Sequence, residues 1–516
     1  MLNKLGNLGG IFGQKDGHPL ADARELKRVI DEVPRDNAFR ALDEVLGWIE
    51  SLRGANDFPP ERLFETIRQL DDAAQPHLRR LAREYLHTVR LTRNDEKRLW
   101  ALNHGFWLQV AEAYERCLLL VGQKSKVGEQ IKQALPMLTT RLAAALAALV
   151  KWEQFHYGPS PAEVWKRMGH VLLLAEEQGI ATRPVAAYSN HSGMTSVQAE
   201  YIKAVAFQAA SMDSLLPIEI ELAERLIEHF LGSFAFTIDA QPDSVYWVDL
   251  VLPHPPQRMA RMPAQAMPSQ RFFKPAGAHA LLKALLGDLE RGIELPAEVA
   301  LGGLFPPKML ISVLQHLVSY LAPMPPQRSH DRHRVKHRIS VLNGLINAFV
   351  VFSEEFGGRP TGLQIESWVV ENVSRGGFGT ILSNIPGEWL KVGALLAMQP
   401  EGGENWLLGI VRRYHRETET EARVGIQTLA TRAVAIECRP RTASSYGAAS
   451  TLPALLVQDA GVVGEVRVVL PANSFDLRES LEYQLNGRRF LLNPVAQVEQ
   501  TVDYEVARYR QVADDQ

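Results

Sequence analysis

The sequence is poor in cysteine and carries no strong excess of one charge. Its two cysteines, Cys117 and Cys438, are too few for a disulfide framework or a thiolate metal site. The formal net charge of −3 gives no overall attraction to nucleic acid or to anionic membranes, so an anion site requires a local cluster of Lys and Arg. These features favour a reducing compartment, and we expect a cytoplasmic protein that binds no nucleic acid.

Long apolar runs are also missing. The first ten residues interrupt their apolar positions with Lys4, Asn7 and several glycines, and so lack the apolar core of a signal peptide. The longest Ala/Leu run, residues 142–150, is much shorter than the ~20 residues that span a bilayer. We therefore expect no transmembrane segment.

Known catalytic motifs are absent as well. The sequence contains no P-loop, zinc-protease motif, nucleophile elbow or dinucleotide-binding fingerprint. Gly377-Phe-Gly379 continues to Leu382, where the fingerprint requires glycine. We predict a receptor that is not an enzyme and needs no cofactor, with a concealed activity in the N-terminal half as an open alternative.

The first 230 residues have helical periodicity. With 516 residues, of which 46% are hydrophobic and 22% charged, the chain is expected to form two to four globular domains. After the possible N-caps Asp36 and Asn37, apolar residues recur on one helical face, namely Phe39, Leu42, Val45, Ile49 and Leu52. Similar patterns follow, and we interpret Pro59-Pro60 and Pro76 as helix starts. The sequence predicts an all-α domain over residues 1–231.

Residues 232–327 form a mixed α/β connector in this interpretation. A strand is predicted over 244–252, a loop over 253–270, and helices over 277–291 and 307–321. The proline-rich residues 322–327 favour an extended spacer, at which we place a domain boundary.

From residue 328 onward the pattern is β. Strands are predicted at 338–352, 362–373, 378–385, 388–399, 405–416 and 420–431, and short strands without intervening helices favour a barrel over 328–440. A small-residue linker at 444–450 leads into a further small β domain over 441–516, in which Asn486-Gly487 predicts a tight hairpin. The predicted fold class is thus α+β multidomain: an all-α helical domain, an antiparallel β-barrel and a small β domain.

A cluster of basic residues directly follows the proline spacer. Residues 328–338 contain five Arg or Lys and three His but a single Asp. Guanidinium groups grip phosphates bidentately, stack on nucleobases and pair with the O6 and N7 edge of guanine. The alternative interpretation is a solvated basic linker.

A second polar segment, Asn372-Val-Ser-Arg-Gly-Gly377, falls between two predicted strands. Asn372 and Ser374 are two residues apart and would face the same side of a strand, where both could contact one ligand. Gly376 and Gly377 allow a sharp turn and a close approach of the backbone. A simple Asx-type turn closed by glycine is the alternative.

Together, Arg334-Val-Lys-His-Arg338 and Asn372-Val-Ser-Arg-Gly-Gly377 resemble the paired motifs of the PilZ family, over roughly residues 328–432. That family consists of β-barrel receptors for the bacterial second messenger cyclic di-GMP. The resemblance implies that Arg334 and Arg338 contact phosphate and guanine. It also implies that Asn372, Ser374 and Gly377 hold a guanine, with Gly376 in the same motif.

Three further expectations rest on this resemblance. Arg332 becomes an additional ligand contact, and His333 occupies the position that influences whether one ligand or a stacked pair binds. Ligand binding would change contacts between domains or with an unidentified protein partner of the helical domain. The processes implied are motility, pilus, exopolysaccharide or virulence control.

Three other interpretations stay open at this point. A PilZ-like barrel can serve as an adaptor that binds no ligand. A single-stranded RNA-binding barrel could use the rings of Trp368, Phe378, Trp389 and Trp406, although a barrel core would also claim them. A metal site would need His330, His333 and His337 on one helix, where the neighbouring arginines would repel a dication.

Overall fold

The fold is taken from a computed structural model. It describes residues 17–513 except 56, 89–90, 121–125, 160–161, 189–192, 264, 304, 328–332, 354–361, 386–388, 442–450 and 458–463. Arg332, His330 and the 444–450 linker lie outside the described residues. The chain forms two compact units, one of residues 1–156, 160–212 and 217–326 and one of 157–159, 213–216 and 327–516.

The first unit begins with eight described α-helices, as the periodicity predicted. They are α1 (Ala23–Glu32), α2 (Ala38–Gly54), α3 (Pro60–His87), α4 (Arg93–Leu118), α5 (Lys126–Phe155), α6 (Ala162–Glu177), α7 (Val197–Ala209) and α8 (Pro217–His229). Asn37 caps α2, because its side-chain oxygen accepts the Arg40 N–H at 3.0 Å. The amphipathic stripe of α2 is buried at Leu42, Val45 and Ile49.

The prediction that Pro76 starts a helix is wrong, since Pro76 lies inside α3. A proline in a helix interior removes one backbone hydrogen bond. The residues on both sides of it, including Ala74, Leu78 and Leu81, are buried, so tertiary packing holds the helix continuous through this point.

A polar network lies in the core of this helical bundle. The Arg141 guanidinium is 3.1 Å from the Asp71 carboxylate and 2.7 Å from that of Asp72. The Tyr114 hydroxyl donates to the same Asp71 oxygen at 2.7 Å. Burial raises the pKa of Asp71, and the Arg141 charge opposes that rise. We interpret this network as structural, because its charges are paired and hydrogen-bonded as buried charges require.

Helix α5 is the one described helix that is long and apolar enough to cross a membrane. The segment is Gly128–Phe155, and 61% of its most apolar window is buried within the fold. A core helix of a globular protein can have the same length and composition. These two properties are therefore only weak evidence that α5 crosses a membrane.

The connector contains a small sheet and two helices. Its strands are β1 (Ala235–Thr237), β2 (Tyr246–Asp249), β3 (Gln257–Arg258) and β4 (Gln270–Lys274), in the order β1-β4-β2-β3. Helices α9 (Ala276–Glu290) and α10 (Pro307–Tyr320) confirm the two predicted helices.

The second unit contains a closed antiparallel barrel of six strands. They are β5 (His333–Asn343), β6 (Glu366–Ser374), β7 (Gly377–Leu382), β8 (Leu395–Pro400), β9 (Leu407–Arg416) and β10 (Ala422–Ala430). Around the barrel the order is β10-β7-β6-β5-β8-β9. The predicted barrel is therefore confirmed.

One predicted strand of this barrel is wrong in its second half. The sequence predicted a strand over 338–352, but β5 ends at Asn343 and helix α11 (Leu345–Phe352) follows. Gly344 separates the two elements with a φ of +83°, a conformation that glycine adopts readily. A short run of apolar residues fits a buried strand and a buried helix equally well, so periodicity could not distinguish them.

The small β domain is a second closed barrel. Its strands are β11 (Ala433–Pro440), β12 (Leu452–Val457), β13 (Glu465–Pro471), β14 (Leu481–Leu485), β15 (Arg488–Gln500) and β16 (Tyr504–Ala513), in the order β11-β12-β13-β16-β15-β14. The predicted hairpin is confirmed, with φ of +50° at Asn486 and +76° at Gly487. Strand β11 pairs with β12 and β14, so this barrel begins before the expected boundary at residue 441.

The two barrels have the same connectivity. If the six strands of each barrel are numbered 1 to 6 along the chain, their order around the barrel is 1-2-3-6-5-4 in both. Of the two, the first barrel alone carries the Arg-x-x-x-Arg and Asn-x-Ser-x-x-Gly motifs. The second barrel is thus a topological copy without the predicted site.

The two barrels share an apolar core that includes α11. Its buried members are Leu342, Leu345, Ala348, Leu395, Ala397, Leu408, Ile410, Ala430, Leu455, Val457, Val469, Tyr504 and Val506. A bidentate ion pair joins them as well, with Arg412 nitrogens 2.8 and 2.7 Å from the two Glu499 carboxylate oxygens. The barrels therefore form one packed body.

Candidate ligand-binding face

The register of the first barrel brings the two sequence motifs together. Arg334 on β5 lies directly opposite Asn372 on β6, and Asn372 lies opposite Gly379 on β7. Ser374 pairs with Gly377, where β6 turns into β7. Directly opposed residues in antiparallel strands project on the same face, so Arg334 and Asn372 can contact the same ligand.

Arg338 lies further along β5, opposite Val369. Its guanidinium donates to the Ser367 hydroxyl at 3.0 Å, and its backbone N–H donates to Glu401 at 3.1 Å. Arg334 and Arg338 are both exposed, and neither makes an ion pair with a carboxylate of the described residues. Both positive charges are therefore available to an anion.

An irregularity in the ladder separates the two arginines. The register shifts between Arg334 and His337, so that two residues of β5 lie opposite the single residue Glu371. The Glu371 carboxylate is 3.2 Å from the Arg423 guanidinium on β10. Such a bulge bends the strand and changes the direction of its side chains, which sets how Arg334 and Arg338 are placed relative to each other.

The two glycines of the turn have structural roles. A Cβ on Gly377 would overlap the Ile426 carbonyl oxygen, so β7 and β10 can approach this closely only with glycine at that position. The Gly376 carbonyl accepts the Thr428 N–H at 3.0 Å. These contacts fix the β6–β7 turn, on which Ser374 is half-buried and its hydroxyl donates weakly to the Gly377 carbonyl at 3.4 Å.

Gly379 is a residue that the sequence argument missed. A Cβ there would lie 2.6 Å from the Asn372 side-chain oxygen, which shows that the Asn372 amide extends across the strand onto this glycine. The strand register identifies Gly379, because it places this glycine opposite Asn372. The spacing of residues in the sequence does not reveal that register.

A line of opposed residues winds round the barrel over five of its six strands. In order they are Arg334, Asn372, Gly379, Gly425 and Arg413, on β5, β6, β7, β10 and β9, and we call them the glycine row. On β10 the neighbours of Gly425, Val424 and Ile426, are buried in the barrel, so Gly425 faces outward. The middle of the row is bare backbone with polar side chains on both sides.

The remaining predicted positions are less informative. His333 and His337 are exposed on β5, opposite Val373 and Val370. A strand does not give the helical alignment on which the metal interpretation depended. Within the described residues no group of three metal-ligating side chains is found.

Three of the four aromatic residues considered for RNA stacking take part in packing. Trp368 is buried and stacks on Trp389, with ring centroids 5.9 Å apart. Trp406 packs against the core shared by the two barrels. The rings of Trp368, Trp389 and Trp406 therefore do not form an exposed stacking surface for bases.

Comparison with known families gives a match in the other half of the chain. Residues 24–242 match the family model "Cyclic-di-GMP receptor FimW, N-terminal domain". The matched region contains α2–α8, nearly all of α1, and β1, and it spans less than half of the chain. It does not overlap either motif of the first barrel. No curated protein matches the chain.

Proposed function

We propose that this protein is a cyclic di-GMP receptor that binds its ligand on the outer face of a PilZ-type first barrel. The observation that carries the proposal is the pairing of Arg334 with Asn372, which joins the two motifs on one face. Independent support comes from the N-terminal half, which is similar to the N-terminal domain of a receptor for the same nucleotide.

The chemistry of this face suits such a ligand. Arg334 and Arg338 supply two exposed positive charges for its phosphates, and a guanidinium can also pair with the O6 and N7 edge of guanine. Asn372 offers both a donor and an acceptor for a base edge, and Ser374 offers a hydroxyl. Arg332 is a further proposed contact, and Gly376 and Gly377 hold the turn that presents Ser374.

The output of the proposed receptor is a change in protein contacts, without catalysis. The basic segment 328–338 directly follows the proline spacer, so a ligand held by its arginines would act next to the connection with the preceding unit. We assign the protein to the cytoplasm, and its partner to the helical domain. Control of motility, pili, exopolysaccharide or virulence is the corresponding process.

Calorimetry with cyclic di-GMP tests the proposal. Wild type is expected to bind, and Arg334→Ala and Arg338→Ala should each remove a charge-assisted contact of ~1.5–3 kcal/mol, or about 10- to 150-fold in affinity. A matched control is Arg508→Ala, an exposed strand arginine of the second barrel whose partner Glu465 is 3.4 Å away.

Two results would contradict the proposal. Absence of binding by wild type would refute the receptor function, and equal affinities for wild type and both motif variants would refute the site. Cyclic di-AMP serves as the ligand control, because adenine lacks the O6 acceptor that the arginines would read.

A further inference from the structure

Glu371 is an extra residue in the ladder between β6 and β7. Its neighbours Val370 and Asn372 lie opposite the consecutive residues Thr380 and Gly379, so the register passes over Glu371. Consecutive residues of a regular strand point to opposite faces, and a bulge breaks that alternation. Glu371 and Asn372 can therefore present their side chains on the same face of the barrel.

Two contacts indicate that both side chains lie on the outer face. The Glu371 carboxylate is 3.2 Å from the guanidinium of Arg423, which is 52% exposed and lies two residues from the outward-facing Gly425. The Asn372 amide lies over Gly379, which is directly opposite the same Gly425 and so shares its face. A carboxylate and an amide thus stand side by side, next to the strand that carries Arg334.

The ion pair with Arg423 leaves the Glu371 carboxylate able to bind a ligand. The guanidinium donates to one of its two oxygens, and the Glu371 side chain is 40% exposed. An ionised carboxylate has about four acceptor sites, so one donor does not saturate it. The Arg423 charge also offsets the repulsion that Glu371 would exert on phosphates. Glu371 is therefore an accessible hydrogen-bond acceptor that Arg423 holds in place.

We infer that Glu371 selects guanine in the ligand by accepting hydrogen bonds from its N1–H and 2-amino groups. The inference rests on the proposed function of this face and names a residue that determines its base specificity. Guanine has donors on this edge and the acceptors O6 and N7 on the other. A guanidinium only donates, so Arg334 and Arg338 cannot serve the donor edge. The Asn372 amide has a single acceptor oxygen, whereas the two carboxylate oxygens match the two adjacent donors.

Calorimetry of the full chain with cyclic di-GMP and cyclic di-IMP tests this inference. Cyclic di-IMP carries hypoxanthine in place of guanine, so it keeps N1–H, O6 and N7 and lacks the 2-amino group. Wild type should bind cyclic di-GMP about tenfold more tightly, the effect of one hydrogen bond to a charged group. Glu371→Ala should abolish this preference. The ratio of the two affinities cancels changes in charge or stability that affect both ligands equally.

Glu417→Ala is the matched control. The Glu417 carboxylate is 2.8 Å from the same Arg423 guanidinium, and its side chain is 43% exposed, so the variant removes an equal charge from the same arginine. Glu417 directly follows β9 and lies outside the β5–β6–β7 ladders, so the preference should be retained. Glu371→Gln keeps the size of the side chain and should lose most of the preference, because its amide nitrogen is a donor that opposes the donors of guanine. Melting temperatures verify that each variant is folded.

The outcomes separate this inference from the proposed function. If Arg334→Ala loses affinity while both Glu371 variants keep the wild-type preference, the inference is overturned and the receptor function stands. Equal affinity of wild type for the two ligands would also overturn it, as would loss of the preference in Asn372→Ala with both Glu371 variants unchanged. Loss of the preference in Glu417→Ala would assign the effect to charge and overturn the inference. If wild type binds neither nucleotide, both proposals fall.

Discussion

At the scale of single residues, the candidate site depends on two glycines whose lack of a side chain leaves room for neighbouring groups. Gly379 leaves room for the Asn372 amide to lie across the neighbouring strand, and Gly377 leaves room for the Ile426 carbonyl. At Gly379 the neighbouring group is the side chain of Asn372, which we propose as a ligand contact. At Gly377 the neighbouring group is the backbone of Ile426. The same substitution should therefore have different effects at the two positions.

Gly379→Ala is expected to weaken cyclic di-GMP binding with a modest effect on stability. The new methyl group would displace the Asn372 amide, which can move because it is a side chain. Gly377→Ala should instead lower the melting temperature strongly, since the clash is with backbone. Calorimetry and thermal unfolding of both variants check this, and the reverse pattern would contradict the assigned roles.

At the scale of elements, α11 is the feature that departs most from the expected pattern. Its apolar residues were predicted to extend β5, but they form a helix packed into the core shared by both barrels. Ala348 is completely buried there, while Ile346 on the same helix is 61% exposed. The helix thus has one face in the core and one face outside it.

Ala348→Asp should destabilise the second unit severely. It would place an unpaired carboxylate in an apolar core, at a cost of several kcal/mol. Ile346→Asp is the matched control on the same helix and should leave the melting temperature nearly unchanged, since its side chain is mostly exposed. Thermal unfolding compares the two, and equal losses of stability would show that α11 is not packed in this way.

At the scale of the whole molecule, the chain contains two barrels of the same topology. Both have the same strand order, but the motifs are found in the first barrel. The second contributes apolar residues such as Leu455, Val457 and Tyr504 to the joint core. We interpret its main contribution as structural support for the first barrel.

A fragment of residues 327–432 should therefore fold poorly. Without the second barrel, Leu408, Ile410 and their neighbours in the joint core lose the residues that cover them. Residues 327–516 keep both barrels and should unfold in one cooperative transition. Binding of a hydrophobic dye and unfolding curves distinguish the fragments, and cooperative unfolding of 327–432 would refute this dependence.

The sequence by itself determined the order of architectures and the identity of the motifs. Helical periodicity identified the N-terminal helices, alternation and turn residues identified β structure after residue 328, and Asn486-Gly487 identified a hairpin. These signals are local, because they depend on the periods of helix and strand and on turn chemistry. The predicted roles of Arg334, Arg338, Asn372 and Ser374 likewise came from motif residues, and they stay predictions.

Only the tertiary structure decided which residues share a face. The register places Arg334 opposite Asn372, adds Gly379, Gly425 and Arg413 to the same row, and separates Arg338 by a bulge. It also made residues 345–352 a helix and kept α3 continuous through Pro76. The physical reason is that strand pairing and core packing join residues far apart in the chain, and local sequence patterns carry no information about which distant partner each will meet.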